Sequence, residues 1–479
     1  MLYRVPRSPA VLRSQRSSIR SDRTVWGAGG WGHLRWLHGE HAANECPVCK
    51  TLGPHPLILS APSLISRDAT VTFVQCRMCE CAFVVDYQRP AYEVPSISDA
   101  PLRFYVEQGA GFDTFARAVF IAGQKPAKSY LDIGCGFGFG VDMATRIFGW
   151  NAIGLDPGAM AAAGRKMLGI RIESDSAVTD ATAPYDVIVS MEVLEHIADP
   201  HDFLAGLRSS ISDAGTLIIS TPNARYLDTD PDGDMLLPLL SAGYHAILYT
   251  AEGLANIIRQ AGFPGVTVVE TPASLFAVAS SSGRLPDLEC EIDRGAYVGY
   301  LRSRFSEVER GSPVHTGFGY RLLSCLTADL CYKEALEVFD DLRDTIMRNY
   351  RVDLRSPLDI AGDTLERRIK FTEVPEKFPF CLAGLLACRG SIAADYEGRP
   401  EQAACYFIAA RFSAQMLLRA LDGAGMSDGE LAALPERTLL ALTGALQAQA
   451  QRDGKGGRAR AIRKDVPTGR RGPAGVHNW

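Results

Sequence analysis

Four cysteines carry the most specific chemistry in the chain. Cys46-Pro47-Val48-Cys49 and Cys76-Arg77-Met78-Cys79 are two CxxC pairs with twenty-six residues between them. Each pair delivers two thiolates from one tight knuckle. Together Cys46, Cys49, Cys76 and Cys79 complete a tetrahedral zinc shell with no position left for water, so the metal would be structural. A pair of unmetallated redox knuckles is the alternative. Leu57-Ile58-Leu59 and Val71-Thr72-Phe73-Val74, between the pairs, are short strand-like runs suited to a zinc ribbon. Glu80 stands where a knuckle usually has a small residue, and Cys81 adds a fifth thiol.

A second chemistry lies in Ser129-Tyr130-Leu131-Asp132-Ile133-Gly134-Cys135-Gly136-Phe137-Gly138-Phe139-Gly140, an apolar strand that ends in an acid and runs into a glycine-rich turn. Only a turn without side chains lets backbone N–H groups approach a ligand closely, and the amphipathic stretch up to Trp150 puts a helix N-terminus there. A nucleotide-like cofactor is expected on it. The glycines do not follow the dinucleotide spacing GxGxxG. The next strand, residues 151–155, ends at Asp156, twenty residues beyond Gly136, where a carboxylate can accept both ribose hydroxyls. NAD and S-adenosylmethionine both fit that much. Asp132 favours S-adenosylmethionine, because a carboxylate there can face the methionine ammonium and would repel a pyrophosphate.

Further along stands Tyr185-Asp186-Val187-Ile188-Val189-Ser190-Met191-Glu192-Val193-Leu194-Glu195-His196-Ile197, then Ser220-Thr221-Pro222-Asn223, His245, Tyr249-Thr250-Ala251-Glu252-Gly253-Leu254 and Ala261-Gly262-Phe263. In this order, over residues 101–282, the chain resembles the class I S-adenosylmethionine-dependent methyltransferases of the ubiquinone-type and sugar-methyltransferase branch. The resemblance implies that Gly134, Gly136 and Gly138 contact the methionine part, Asp132 its ammonium or a water beside it, and Asp156 the ribose. It further implies that Met191 and Glu192 lie beside the sulfonium. Asp175 is the candidate for the adenine amino group, with an ordinary solvated loop acid as the other reading. Tyr105, on the apolar-periodic stretch 101–122, either faces the cofactor or belongs to the core. Cys135 reads as a small packing residue. A hydroxyl acceptor must lose its proton, and His196 and His245 are the candidate general bases, with His196 alternatively bracing its turn.

The elements that must hold these residues alternate strand and helix: 158–168 helical, 170–172 a third strand, 185–190 a fourth, a helix opened by Asp199-Pro200, 216–220 a fifth, then an antiparallel closing pair at 266–270 and 275–280. The expected fold is α/β, a doubly wound, mostly parallel seven-stranded Rossmann-like sheet, with a small zinc ribbon before it and an all-α region after it. The expected organisation is a disordered leader (1–40), a zinc-ribbon-like domain (41–95), a class I methyltransferase domain (96–282), a helical domain (283–450) and a basic disordered tail (451–479). Stretches 319–342 and 382–410 resemble tetratricopeptide helix pairs, with a plain helical bundle as the alternative.

The 479 residues exceed one core, and 47% hydrophobic with 22% charged residues describes a folded chain. No apolar run approaches the ~20 residues that span a bilayer. A net charge of −5 and a pI near 6.0 give no broad attraction to nucleic acid. The Arg- and Ser-rich first forty residues overlap in composition with a transit peptide but lack its amphipathic period, and with no secretory core the twelve cysteines stay reduced. A cytoplasmic location follows as an expectation. Methyl transfer to a hydroxyl or carbon of a small-molecule acceptor, most plausibly a sugar, glycan or secondary metabolite, is the leading reading by analogy. The C-terminal helices would serve self-association, a protein partner or acceptor positioning. An RNA methyltransferase, and a non-catalytic interaction protein with a cofactor-type fold, are the alternatives.

Overall fold

A computed structural model describes residues 23–27, 30–66, 68–92, 96–108, 112–174, 184–229, 236–271, 273–426 and 428–452. Its centre is a seven-stranded sheet. In chain order the fourteen strands among the described residues are β1 (Arg23–Gly27), β2 (Gly30–Trp36), β3 (His41–Ala42), β4 (His55–Pro62), β5 (Thr70–Gln75), β6 (Ala82–Val84), β7 (Ser129–Ile133), β8 (Asn151–Leu155), β9 (Ile172–Glu173), β10 (Tyr185–Met191), β11 (Ile211–Pro222), β12 (Ile247–Leu248), β13 (Gly265–Glu270) and β14 (Ser274–Ser280). The central sheet runs β13-β14-β11-β10-β7-β8-β9. Its pairs are parallel from β11 to β9, and β14 is antiparallel to both neighbours.

Continuous apolar strands such as Val187-Ile188-Val189 fit a sheet covered on both faces, because alternate residues must enter different cores. Tyr130, Val187, Val189, Ile218 and Val278 enter one core, with the helices Phe112–Ala122 and Phe139–Phe148 and most of the helices after residue 290. Leu131, Ile133, Ile188, Leu217 and Ile219 enter the other, with the helices Pro200–Ser210 and Ala251–Gln260 and with Cys46, Cys76 and Cys81. Asp199 caps the first of these two helices by accepting from the backbone of His201 and Asp202.

Three expectations change. The stretch 101–122 is not one helix: Asp99–Arg103 is α-helical, Phe104–Gln108 is a turn of π-helix, and α-helix resumes at Phe112. Gly109 and Gly111, weak helix formers, fall in the interval. The cysteine pairs do not sit in a small separate ribbon. They join a second seven-stranded, antiparallel sheet, β1-β2-β4-β5-β6-β12 with β3 beside β4. That sheet takes β1 and β2 from the stretch expected to be a disordered leader. It takes β12 from far down the chain, where Ile247 faces Phe83 and Leu248 faces Ala82. A two-residue strand has no local period, so its partner is invisible in sequence.

After residue 290 the described residues are helical: Arg294–Glu307, Pro313–Ala328, Tyr332–Tyr350, Pro357–Thr364, Leu382–Asp395, Pro400–Asp422 and Gly429–Arg452, with a 3-10 turn at Phe371–Glu376. No described helix is long and apolar enough to cross a membrane.

Candidate functional site

The glycine turn leaves the carboxyl end of β7, where a parallel sheet opens its crevice. Gly134, Gly136 and Gly138 have φ of 68°, 52° and 88°, which an L side chain adopts only with strain. A Cβ on Gly134 would also collide with Val193, and one on Gly140 with the Asp132 carboxylate beneath the turn. Gly138 lies directly before the helix Phe139–Phe148, so the turn ends on free N–H groups.

Asp156, at the end of β8, ties the turn from outside. Its Oδ2 accepts from Gly136 N at 2.9 Å and its Oδ1 from Gly158 N at 2.7 Å. Each carboxylate oxygen keeps a second lone pair for a ligand. Asp132 is fully buried, its Oδ2 takes the Tyr130 hydroxyl at 3.4 Å, and its Oδ1 has no hydrogen bond among the described residues. Burial pushes its carboxyl up to about 8. A buried acid with one oxygen unpaired among the described residues suits a cationic ligand group.

A cavity of about 520 Å³ opens beside the turn, lined by Gly134 and Gly136, by Met191 and Glu192 from the end of β10, and by Ser220 and Pro222 from β11. Tyr105, Thr114, Phe115, Tyr226, Leu239, Ala273 and Ser274 complete the wall, so most of the surface is apolar. Glu192 has a left-handed φ of 54°, a strained conformation for a non-glycine residue. It accepts from the Ser220 hydroxyl at 2.6 Å. The Glu192 side chain is accessible, but into the cavity, and that enclosure raises its carboxyl. Asp175 lies outside the described residues.

His196 and His245 do not line this cavity; the structure brings them together with Glu195 instead. The two rings meet edge to face with centroids 4.8 Å apart. His196 Nδ1 lies 3.0 Å from the Tyr244 carbonyl and 3.0 Å from the Tyr92 hydroxyl, and His245 Nδ1 lies 2.8 Å from the Leu239 carbonyl. A carbonyl only accepts, so each Nδ1 carries the proton and each Nε2 has the lone pair. Burial holds both imidazoles neutral, and His245 falls to about 3. The two Nε2 atoms lie 3.9 and 4.0 Å from Glu195 Oε1, a buried oxygen without a hydrogen bond, while Glu195 Oε2 takes the Thr221 hydroxyl at 3.0 Å. The three donor atoms lie within 4.8 Å of one another. Two imidazoles fixed through Nδ1 and one carboxylate are a donor set for a divalent cation.

The cysteine sulfurs form the other donor set. Cys46 Sγ is 3.6 Å from Cys79 Sγ and Cys49 Sγ is 3.5 Å from Cys76 Sγ, all four lying within 4.8 Å of one another. Zn–S bonds of about 2.3 Å in a tetrahedron need sulfurs roughly 3.8 Å apart. Lys50 and Glu80 follow the two pairs in left-handed conformation, so Glu80 takes the backbone shape a small residue would take there. The Cys46 thiol is pushed well up by its bond with Cys79 and by burial.

Glu195 was missed in the sequence, although its spacing of three from Glu192 on one turn was a signal. Tyr92 gave none, since it meets His196 across 104 positions.

Residues 108–268 match a family model described as a methyltransferase domain. Over 149 residues the chain is 30% identical to a ubiquinone biosynthesis O-methyltransferase of Cereibacter sphaeroides, covering 28% of this chain and 60% of that protein. The like-named protein of Roseobacter denitrificans is 28% identical over 161 residues, covering 30% and 64%. The chain thus spans somewhat under two thirds of the length of these curated relatives. An O-methyltransferase family protein from Burkholderia thailandensis superposes with a TM-score of 0.31 at 19% identity, over 39% of this chain and 59% of that one. Residues 108–268, about a third of the chain, are thus similar to methyltransferase domains.

Proposed function

We propose that the protein moves a methyl group from S-adenosylmethionine to a hydroxyl of a small acceptor with a largely apolar body. The observation that carries this reading is one cavity lined by Gly134 and Gly136 of the glycine turn at one side and by Glu192 and an apolar wall at the other. Bound S-adenosylmethionine supplies an already electrophilic methyl group. The residues of the chain then have three tasks: to hold cofactor and acceptor in line, to exclude water, and to take up the hydroxyl proton. Gly134, Gly136 and Gly138 offer backbone to the methionine part, Asp132 a carboxylate to its ammonium, and Asp156 its free lone pairs to the ribose. Met191 and Phe115 exclude water from the wall. Glu192 is the acid that reaches the pocket directly.

His196 and His245 read better as ligands than as free bases, because both lone pairs point at Glu195. A divalent cation held by Glu195, His196 and His245 would neutralise the buried Glu195 carboxylate and fix the turn after β10, whose first residue Glu192 lines the pocket. The pocket's apolar wall favours a phenol or an apolar alcohol over a sugar, whose many hydroxyls would lose water without gaining partners. We also infer that Cys46, Cys49, Cys76 and Cys79 hold a structural zinc. Assays with labelled S-adenosylmethionine against phenols, apolar alcohols and sugars, before and after chelation, test the reading. Transfer to the apolar acceptors that falls at least tenfold on chelation, and returns with Mg²⁺ or Mn²⁺ but not in Glu195→Gln, supports it. Transfer to sugars alone, or indifference to chelation, contradicts it.

A further inference from the structure

The π-helical turn Phe104–Gln108 has two separate sets of partners. Tyr105 alone turns to the cofactor crevice. Its ring stacks on Phe139 at 5.9 Å, its hydroxyl lies 3.7 Å from where a Cβ on Gly136 would stand, and it lines the cavity. The other four residues are gripped by the C-terminal helices and the turns that join them. Phe104 packs edge-on against Phe371 and Phe380 at 5.9 and 5.4 Å. The Val106 carbonyl approaches Gly317 so closely that a Cβ there would collide with it. Glu107, fully buried, accepts from the Tyr350 hydroxyl at 2.9 Å and from the Phe380 backbone N–H at 2.9 Å. Gln108 accepts from Arg321 through its carbonyl and donates to Glu430 at 3.3 Å through its amide.

A carboxylate buried between two donors on different elements has one place to sit, and the turn that carries it is fixed with it. Single π turns re-aim side chains and recur at functional sites. We propose that the C-terminal helices are part of the cofactor site: they seat this turn so that Tyr105 covers the ligand on the glycine turn, and Glu107 is the positioning residue. The helices after residue 290 thus complete the catalytic unit. This inference rests on the S-adenosylmethionine reading above.

The test is a double-mutant cycle on the full chain, with S-adenosylhomocysteine affinity read by calorimetry and folding by circular dichroism melts. Tyr105→Ala is expected to weaken binding about tenfold, and Glu107→Gln and Tyr350→Phe about threefold or more each. In the Tyr105→Ala background, Glu107→Gln is expected to add nothing, since it acts through the tyrosine. Fully additive losses overturn the inference, as general destabilisation would produce them. Wild-type affinity in both Glu107→Gln and Tyr350→Phe overturns it too. Tyr350→Phe removes a single oxygen and keeps the test readable if Glu107→Gln fails to fold. A wild type that binds no S-adenosylhomocysteine overturns the cofactor reading itself, a different result from a binding wild type with unaffected variants.

Discussion

Asp156 holds the backbone of Gly136 and Gly158 through its two oxygens, and the proposed function gives the lone pairs left on them to a ribose. Asp156→Ala therefore removes one to two charge-assisted hydrogen bonds of roughly 1.5–3 kcal/mol each and loosens the turn. The dissociation constant for S-adenosylhomocysteine should rise at least tenfold; unchanged binding would refute the ribose assignment. Asp132 makes a pH-dependent prediction. Its carboxyl stands at about 8 in the folded chain, above the ordinary 3.8, so between those values the folded state keeps a proton the unfolded state has released. The stability this group contributes is full below about 4 and is lost as pH rises towards 8. A ligand ammonium favours the carboxylate, so cofactor binding at pH 7 should release a proton. Calorimetry in two buffers of different ionisation enthalpy would then give different heats, and equal heats would remove Asp132 from the ammonium site. These residues were legible because strand, acid and glycine are neighbours in sequence. The Glu195, His196 and His245 cluster was not, because residues 195–196 and 244–246 meet through long-range contacts such as Ala246 N to the Glu195 carbonyl, which no local pattern encodes.

Elements explain why the cysteine sheet bears on the site without touching the cavity. β6 pairs with β12, which begins two residues after His245, and Tyr87 of the same unit donates to the Tyr244 carbonyl at 2.8 Å. Cys79 accepts from Thr250, which caps the helix Ala251–Gln260. Loss of the knuckles should therefore reach His245 through β12. Metal analysis is expected to find about one zinc per chain, lost in Cys46→Ser/Cys49→Ser, and with it the binding of Mn²⁺ at the histidine cluster. A zinc-free wild type that folds fully would contradict the metal, and intact Mn²⁺ binding in the double variant would contradict the coupling. The short strands between the pairs were visible from their β-branched runs. Their sheet was not, since β1, β2 and β12 are recruited through long-range pairing that no local pattern encodes.

At the scale of the whole molecule the helices after residue 290 and the sheet share one core. Arg304 reaches from Arg294–Glu307 to the buried Asp142 at 3.0 Å, where the Tyr300 hydroxyl also donates at 2.7 Å. Arg304→Met removes the nearer and buried of that acid's two cations and should cost about 3–5 kcal/mol, read as a fall in the urea midpoint. Arg146→Ala, at a half-exposed partner of the same acid, should cost less than about 1 kcal/mol. Equal effects would mean that the helices do not depend on this buried pair. Sequence pointed to paired helices at 319–342 and 382–410 but not to what they cover, because the core they share with the sheet is built from residues far apart in the chain. The central claim is that a sulfonium nucleoside lies across Gly134 to Gly138. A crystal structure with S-adenosylhomocysteine tests it most directly: the account predicts the ribose on Asp156 and the amino group towards Asp132. A crevice that stays empty, or that takes NAD instead, would contradict it.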